Sequence, residues 1–209
     1  MPYGFLDIAV TPSVRAAQAK MGADPLRERF KGDRTFDVFT TNEIAFIARR
    51  DSFYMATVSE TGWPYVQHRG GPPGFLKVLD EKTLAFADYR GNRQYISVGN
   101  LAADDRAALI LMDYARRVRL KIYARIEAML LDADPALTER TVDPGYRAKP
   151  ERILKLRLAA FDWNCPQHIT PHFAEAEIAA AIQPLRDRLA RLEAENAELR
   201  ARHAARRED

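Results

Sequence analysis

The sequence predicts a mainly β protein with flanking helices. Its short antiparallel strands should curl into a closed or partly closed barrel, with a separate C-terminal helical tail. Three observations carry this. Strand-like runs recur between about Phe53 and Trp163, broken by turn signals such as Glu60-Thr61-Gly62 and Asp80-Glu81-Lys82. Few helical patterns lie between those runs, which argues against parallel strands joined by crossover helices. The composition changes after about Phe173: from Glu175 onward there is no glycine, one proline (Pro184), and a high density of Ala, Leu, Glu and Arg.

Taken in order, Thr11-Pro12 signals a helix start, with the hydroxyl as cap and proline at the first helical position. That helix should run to about Lys20 and stop near Gly22. Gly22 to Asp37 is polar and irregular. Thr41 should cap a second helix with Ile44, Ile47 and Ala48 on one face. Phe53–Ser59 and Tyr65–Arg69 form one hairpin, and Phe75–Leu79 and Thr83–Asp88 another. A helix is expected over Arg93–Ala103, long strands over Ala107–Met112 and Val118–Leu131, and a last strand over Arg152–Trp163. The chain divides into a wrapping segment (1–40), the β domain (41–173) and the helical tail (174–209).

The bulk numbers bound the rest. A chain of 209 residues with 47% hydrophobic and 29% charged residues suffices for one domain with a real core. The net charge of +3, with basic and acidic residues interleaved, demands no nucleic-acid partner. Cys165 is the single cysteine, so no internal disulfide forms and a reducing, cytoplasmic setting is expected. The start, MPYGFLDIAV, does not resemble a signal peptide, and no apolar run reaches the about 20 residues a membrane span needs.

The tail carries a heptad pattern. Ile182, Leu189, Asn196 and His203 fall on one seven-residue series, and Ile178, Leu185, Leu192 and Leu199 on the other, three residues away. These are a and d positions of a coiled coil, and Asn at an a position is a device that fixes a parallel two-stranded register. The g-to-e pairs, Arg188 with Glu193 and Glu195 with Arg200, are opposite in sign. The competing reading is an amphipathic helix packed on its own domain. The narrow apolar stripe with charge on both flanks favours self-association.

The chemistry concentrates in Pro64–Gln94. Gly91-Asn92-Arg93-Gln94 precedes a predicted helix: Gly91 permits close approach, Asn92 is placed to cap the helix, and Arg93 can grip two phosphate oxygens. Taken alone it is equally an ordinary strand-to-helix turn. His68-Arg69-Gly70-Gly71-Pro72-Pro73-Gly74 adds a cation and three glycines before a strand, where backbone can lie along a flat ring. Together the two halves suit a planar, anionic ligand, and flavin mononucleotide (FMN) meets that description.

Gly74-Phe75-Leu76-Lys77 and Phe86-Ala87-Asp88-Tyr89-Arg90-Gly91-Asn92-Arg93-Gln94 resemble, at the right separation, the two flavin-binding segments of the pyridoxamine phosphate oxidase-like, FMN-binding split barrels. The resemblance extends from about Thr41 to Trp163. It implies that Arg93, Gln94 and Lys77 hold the FMN phosphate, assisted by Asn92. Gln67, His68, Arg69, Gly70, Phe75 and Leu76 would line the isoalloxazine edge or ribityl chain, with Ala87 and Asp88 at the next strand end. Arg119 falls where the family reaches the flavin across a dimer, and Trp163, followed by Asn164, resembles the C-terminal tryptophan that completes the site. The resemblance implies a homodimer with flavin at the subunit interface. The chain lacks the oxidases' C-terminal Arg-x-His element, for which Gln167-His168 is no substitute, so pyridoxamine phosphate is not the expected substrate.

The expected activity is hydride or electron transfer through bound FMN to a small molecule, with His68 the best candidate for a proton-transfer group. The alternative is a non-catalytic carrier or sensor for flavin, the deazaflavin F420 or haem, with a dimerising tail. Cys165-x-x-His168-x-x-x-His172 has zinc-like spacing, but Pro166 and Pro171 bracket it and no second cysteine joins, so no metal is expected. The basic run Arg116–Lys121 lacks the interleaved aromatics of single-strand nucleic-acid binders.

Overall fold

The computed structural model describes residues 4–23, 36–163 and 166–208. Its elements run α1 (Phe5–Ala9), α2 (Pro12–Lys20), α3 (Thr41–Ile47), β1 (Ser52–Val58), β2 (Pro64–Gly70), β3 (Lys77–Asp80), β4 (Thr83–Tyr89), α4 (Ile96–Ala103), β5 (Arg106–Asp113), β6 (Val118–Met129), α5 (Pro135–Thr141), β7 (Pro150–Trp163) and α6 (Glu175–Glu208). The chain falls into two compact units. The first holds Met1–Asp113 and Arg117–Ile169, and the second Tyr114–Arg116 and Thr170–Asp209.

The first unit is built on one seven-stranded sheet in the order β2-β1-β5-β6-β7-β4-β3, every neighbouring ladder antiparallel. The mainly β architecture with flanking helices is as the sequence predicts. The sheet does not close: among the described residues β2 and β3 are its edges. The link after β2 places its backbone hydrogen bonds elsewhere, with Gly71 N–H donating to Asp51 O and Gly74 N–H to Arg50 O, both at 2.9 Å. Those bonds fold the link back beside the entry to β1, so β2 is not extended.

Side-chain alternation fills the concave face. Phe53 and Met55 of β1, Leu109 and Leu111 of β5, Leu120 and Ile122 of β6, and Leu154 and Leu156 of β7 enter one core. Phe75 stacks on Phe53 at 5.5 Å, and Phe86 meets the same ring edge-on at 5.3 Å. β4 is buried on both faces. Leu84 and Phe86 join the main core, while Ala85 and Ala87 pack with Leu137 of α5 and Ile153 of β7. The sequence reading did not include α5, although its signal was present: Asp134 caps it, accepting from Leu137 N–H at 2.9 Å, and Pro135 follows at the first position.

Two helix starts differ from expectation. Thr40, not Thr41, caps α3, and the Glu43 carboxylate accepts from Thr40 N–H at 2.8 Å in a capping box. Moving the start by one residue turns the buried stripe to Glu43, Phe46 and Ile47 and leaves Ile44 and Ala48 exposed. α4 begins at Ile96 rather than Arg93, because Arg93 (φ 61) and Tyr95 (φ 52) are left-handed and cannot continue a right-handed helix.

In the second unit α6 is one helix of 34 residues containing Pro184. Ile178, Leu185, Leu189, Leu192 and Leu199 on it are exposed. Among the described residues no helix is long and apolar enough to cross a membrane.

The glycines of the 70–74 loop answer to the chain itself. A Cβ on Gly71 would sit 2.8 Å from the Phe75 side chain, and one on Gly74 would sit 2.9 Å from Ala48 O at a φ of +76. Gly74→Ala should therefore destabilise the protein by about 1–3 kcal/mol, read as a lower urea midpoint at unchanged m. Gly91, where an added Cβ would meet nothing within 4 Å, serves as the control: Gly91→Ala should leave the midpoint near wild type.

Candidate functional site

The two free sides of the open sheet are joined by side chains. On β2, alternation places Gln67 and Arg69 on the face shared with Met55 and Phe53, their partners across the ladder. Arg69 Nη1 donates to Asp88 Oδ1 on β4 at 2.5 Å, bridging edge strand β2 to the strand next to the other edge. Beside it, Ser97 Oγ donates to Gln67 Oε1 at 2.8 Å, and Asn100 Nδ2 donates to Thr57 Oγ1 at 3.0 Å, which holds α4 against β1 and β2.

A pocket of about 50 Å³ opens at this junction, walled by Gln67, Arg69, Asp88, the 91–93 turn, Tyr95, Ser97 and Glu151. Asp88 pairs in register with Arg152, whose Nε lies 3.5 Å from its second oxygen. Glu151 accepts from Arg90 Nε at 2.7 Å and from the Tyr95 hydroxyl at 3.2 Å, and the Arg152 guanidinium lies over the Tyr95 ring at 4.9 Å. Arg69 and Arg152 thus pair with Asp88 and Arg90 with Glu151, while Arg93 joins Arg69 in the pocket wall. Arg69 Nε is buried without a hydrogen-bond partner. α4 starts here with no side-chain cap, so its first N–H groups are not satisfied by a capping side chain.

Burial pushes the Asp88 carboxyl above its ordinary value, against the pull of the Arg69 and Arg152 charges. Glu151 is held below its ordinary value, chiefly by the hydrogen bond from Arg90.

Of the residues singled out in the sequence, the structure brings Gln67, Arg69, Asp88, Asn92 and Arg93 together at this pocket. Asn92 does not cap the helix. Its Oδ1 accepts from Gln94 N–H at 3.1 Å, and its Nδ2 donates to Gln94 Oε1 at 3.3 Å, so the pair sets the turn and the Gln94 amide is engaged there. His68 is on the other face of β2, edge-on to Tyr54 at 5.6 Å, because neighbouring strand residues point oppositely. This removes His68 as a proton-transfer group for the pocket of its own chain. Gly70 sits beside His68, with a Cβ position 3.1 Å from its ring.

Phe75 and Leu76 are core residues with buried side chains, so neither side chain can line a ring. Ala87 faces the smaller core with Ala85, away from Asp88. Lys77 pairs with Ala85 on β3 and is not part of the pocket wall.

Arg119 and Trp163 mark the far end of the sheet: Arg119 pairs with Met112, and Trp163 with Leu120. Trp163 is separated from Glu151 by about 40 Å of strand. The Trp163 indole N–H donates to Glu43 Oε1 at 2.6 Å, and its ring meets Phe46 edge-on at 4.9 Å. Burial raises the Glu43 pKa, but the hydrogen bonds from Thr40 and Trp163 together outweigh it and hold the carboxyl below its ordinary value. Arg119 Nε is buried without a hydrogen-bond partner. Asn164 and Cys165 lie outside the described residues.

Tyr95, Ser97 and Glu151 are pocket residues that the sequence reading did not select, as is Arg152, which pairs with Asp88 of that pocket without lining it. Ser97 stands four residues after Arg93, a spacing that was available. Glu151 and Arg152 arrive only through the β4–β7 ladder, and no local pattern announces that pairing.

These features define an open antiparallel β-sheet domain whose split is bridged by the buried Arg69–Asp88 pair beside a small polar pocket. The family model described as pyridoxamine 5'-phosphate oxidase matches residues 39–159, and the chain belongs to that family. Among solved structures, a putative pyridoxamine 5'-phosphate oxidase from Lactobacillus delbrueckii subsp. is 19% identical, with 60% of this chain and 94% of that chain covered and a TM-score of 0.46. An FMN-binding protein from Syntrophomonas wolfei subsp. wolfei is 15% identical, with 73% and 95% covered and a TM-score of 0.44. A structure named F420 Reductase is 19% identical, with 56% and 94% covered and a TM-score of 0.40. No curated protein matches the chain.

Removing the carboxylate that bridges the split leaves Arg69 buried and unpaired. Asp88→Ala should cost about 3–5 kcal/mol in chemical denaturation.

Proposed function

We propose that this protein binds FMN, with the phosphate in the pocket between Arg69, Arg93 and Ser97, and serves as an oxidoreductase for a small substrate. The observation that carries this reading is the pocket itself: Arg69 and Arg93 in its wall, an orphaned Arg69 Nε, and an uncapped helix start beside them. Bound flavin would supply hydride or electron transfer, and the chain's residues would hold and orient it. The donor set suits a dianionic phosphate ester: Arg93 from the turn and the N–H groups opening α4.

Size supports a shared site. A volume of about 50 Å³ takes a phosphate-sized group, whereas sites for whole ligands run to about 300–1,000 Å³. The ring would lie outside this pocket, on surface that a second subunit covers. Arg119 and Trp163, at the far end of the sheet, would then reach the flavin from the partner. A reducing, cytoplasmic setting agrees with the single cysteine.

A second reading, a flavin or F420 carrier without turnover, is favoured by one feature. The two carboxylates at the pocket are both tied to arginines, and His68 faces the other way. Turnover with NADH or NADPH and common acceptors separates the two readings, since a carrier would show none.

Freshly purified protein should be yellow, with flavin absorbance bands and FMN released on denaturation. Arg93→Ala should weaken FMN binding by about 10- to 100-fold, the loss of one or two charge-assisted hydrogen bonds, while riboflavin binding stays near wild type. Colourless protein that takes up no FMN in a titration overturns the proposal.

A further inference from the structure

We infer that residues 178–203 of α6 form a parallel two-stranded coiled coil with the same segment of a second copy of this chain. The helix is continuous across this stretch. Its d-series residues Ile178, Leu185, Leu192 and Leu199 are between 49% and 68% exposed, and the a-series Leu189 is 57% exposed. The single chain therefore leaves a narrow apolar seam uncovered along one side of a helix that is otherwise charged or small.

The polar contacts within the helix lie off that seam. Gln183 Nε2 donates to Asp187 Oδ1 at 2.8 Å, and Arg202 and Glu198 lie 3.9 Å apart. None of these four is an a or d residue. Pro184 is at a c position, facing away from the seam. It removes the backbone bond to residue 180 and leaves the register intact. Beyond it the seam runs from Leu185 to His203, about 27 Å at 1.5 Å per residue.

Charge complementarity names the occupant. In a parallel pair Arg188 meets Glu193 of the second copy and Glu195 meets its Arg200, so the segment is complementary to itself. An antiparallel pair would also match charges, with Arg188 opposite Glu195 and Arg186 opposite Glu193. Asn196 separates the two. Parallel pairing sets Asn196 against Asn196, and the two amides satisfy each other. Antiparallel pairing sets it against Leu185 and strands a polar amide in an apolar layer.

The test uses the full chain in a Cys165→Ser background. Leu199→Cys puts a thiol at a d position, opposite itself only in the parallel pair. Ala194→Cys puts one at an f position, facing outward. Under mild oxidation Leu199→Cys should form a disulfide-linked dimer at least tenfold faster than Ala194→Cys, with far-UV circular dichroism unchanged in both reduced variants. Equal rates at the two positions would mean that nothing pairs along the seam, whatever joins the β domains, and would overturn the proposal. Cross-linking by the Ile182→Cys/Leu199→Cys double variant, when neither single variant cross-links, would show an antiparallel pair and overturn it equally. FMN binding is not needed for any of these readouts, so the result stands apart from the cofactor assignment.

Discussion

The bond between Arg69 and Asp88 is the constraint on which the β domain depends. Seven strands leave two free sides, and backbone hydrogen bonds do not join them. A short link that folds back onto Arg50 and Asp51 prevents β2 from finding another ladder. What spans the gap is a buried guanidinium–carboxylate pair, flanked by the Ser97–Gln67 hydrogen bond. Both charges have left bulk water, so the pair is tolerable only while each partner keeps the other, and Arg152 supplies a second counter-charge. The split is thus a place where polar groups must be buried, with donors already arranged around it.

This arrangement places arginines against both carboxylates of the pocket. Arg69 and Arg152 serve Asp88, and Arg90 serves Glu151, while Arg93 projects from a turn held open by the left-handed Arg93 and Tyr95. The structural pairs occupy both carboxylates and leave cationic capacity over. An anion placed there meets preorganised donors and a helix start, and little reorganisation is needed to receive it. The same pairing argues against acid–base chemistry by the pocket's own carboxylates, which are committed to holding arginines.

The tail obeys different physics. In the β domain, burial is settled within one chain by alternation across ladders. Along α6 the apolar residues recur every seven residues on too narrow a strip to coat a globule, and charge flanks both edges. In the single chain that strip stays exposed at Ile178, Leu185, Leu189, Leu192 and Leu199.

Much of this was legible in the sequence because it is local. Period-two alternation and turn residues located all seven strands within a few residues, and the Gly91–Arg93 turn and Arg69, singled out in the sequence, meet at one pocket. Heptad spacing alone placed the tail's seam. The tertiary structure decided the rest. It buried Phe75, Leu76 and Ala87, turned His68 to the opposite face, and carried Trp163 to the far end of β7, onto Glu43. It brought Glu151 and Arg152 to Asp88 from more than sixty residues away. The physical reason is that a residue's type and spacing set its chemistry and its strand, whereas ladder register sets which face and which neighbours it receives. Register is fixed by non-local pairing, so the sequence by itself determined a β domain with a Gly-Asn-Arg-Gln turn, and only the assembled sheet decided which residues stand around that turn.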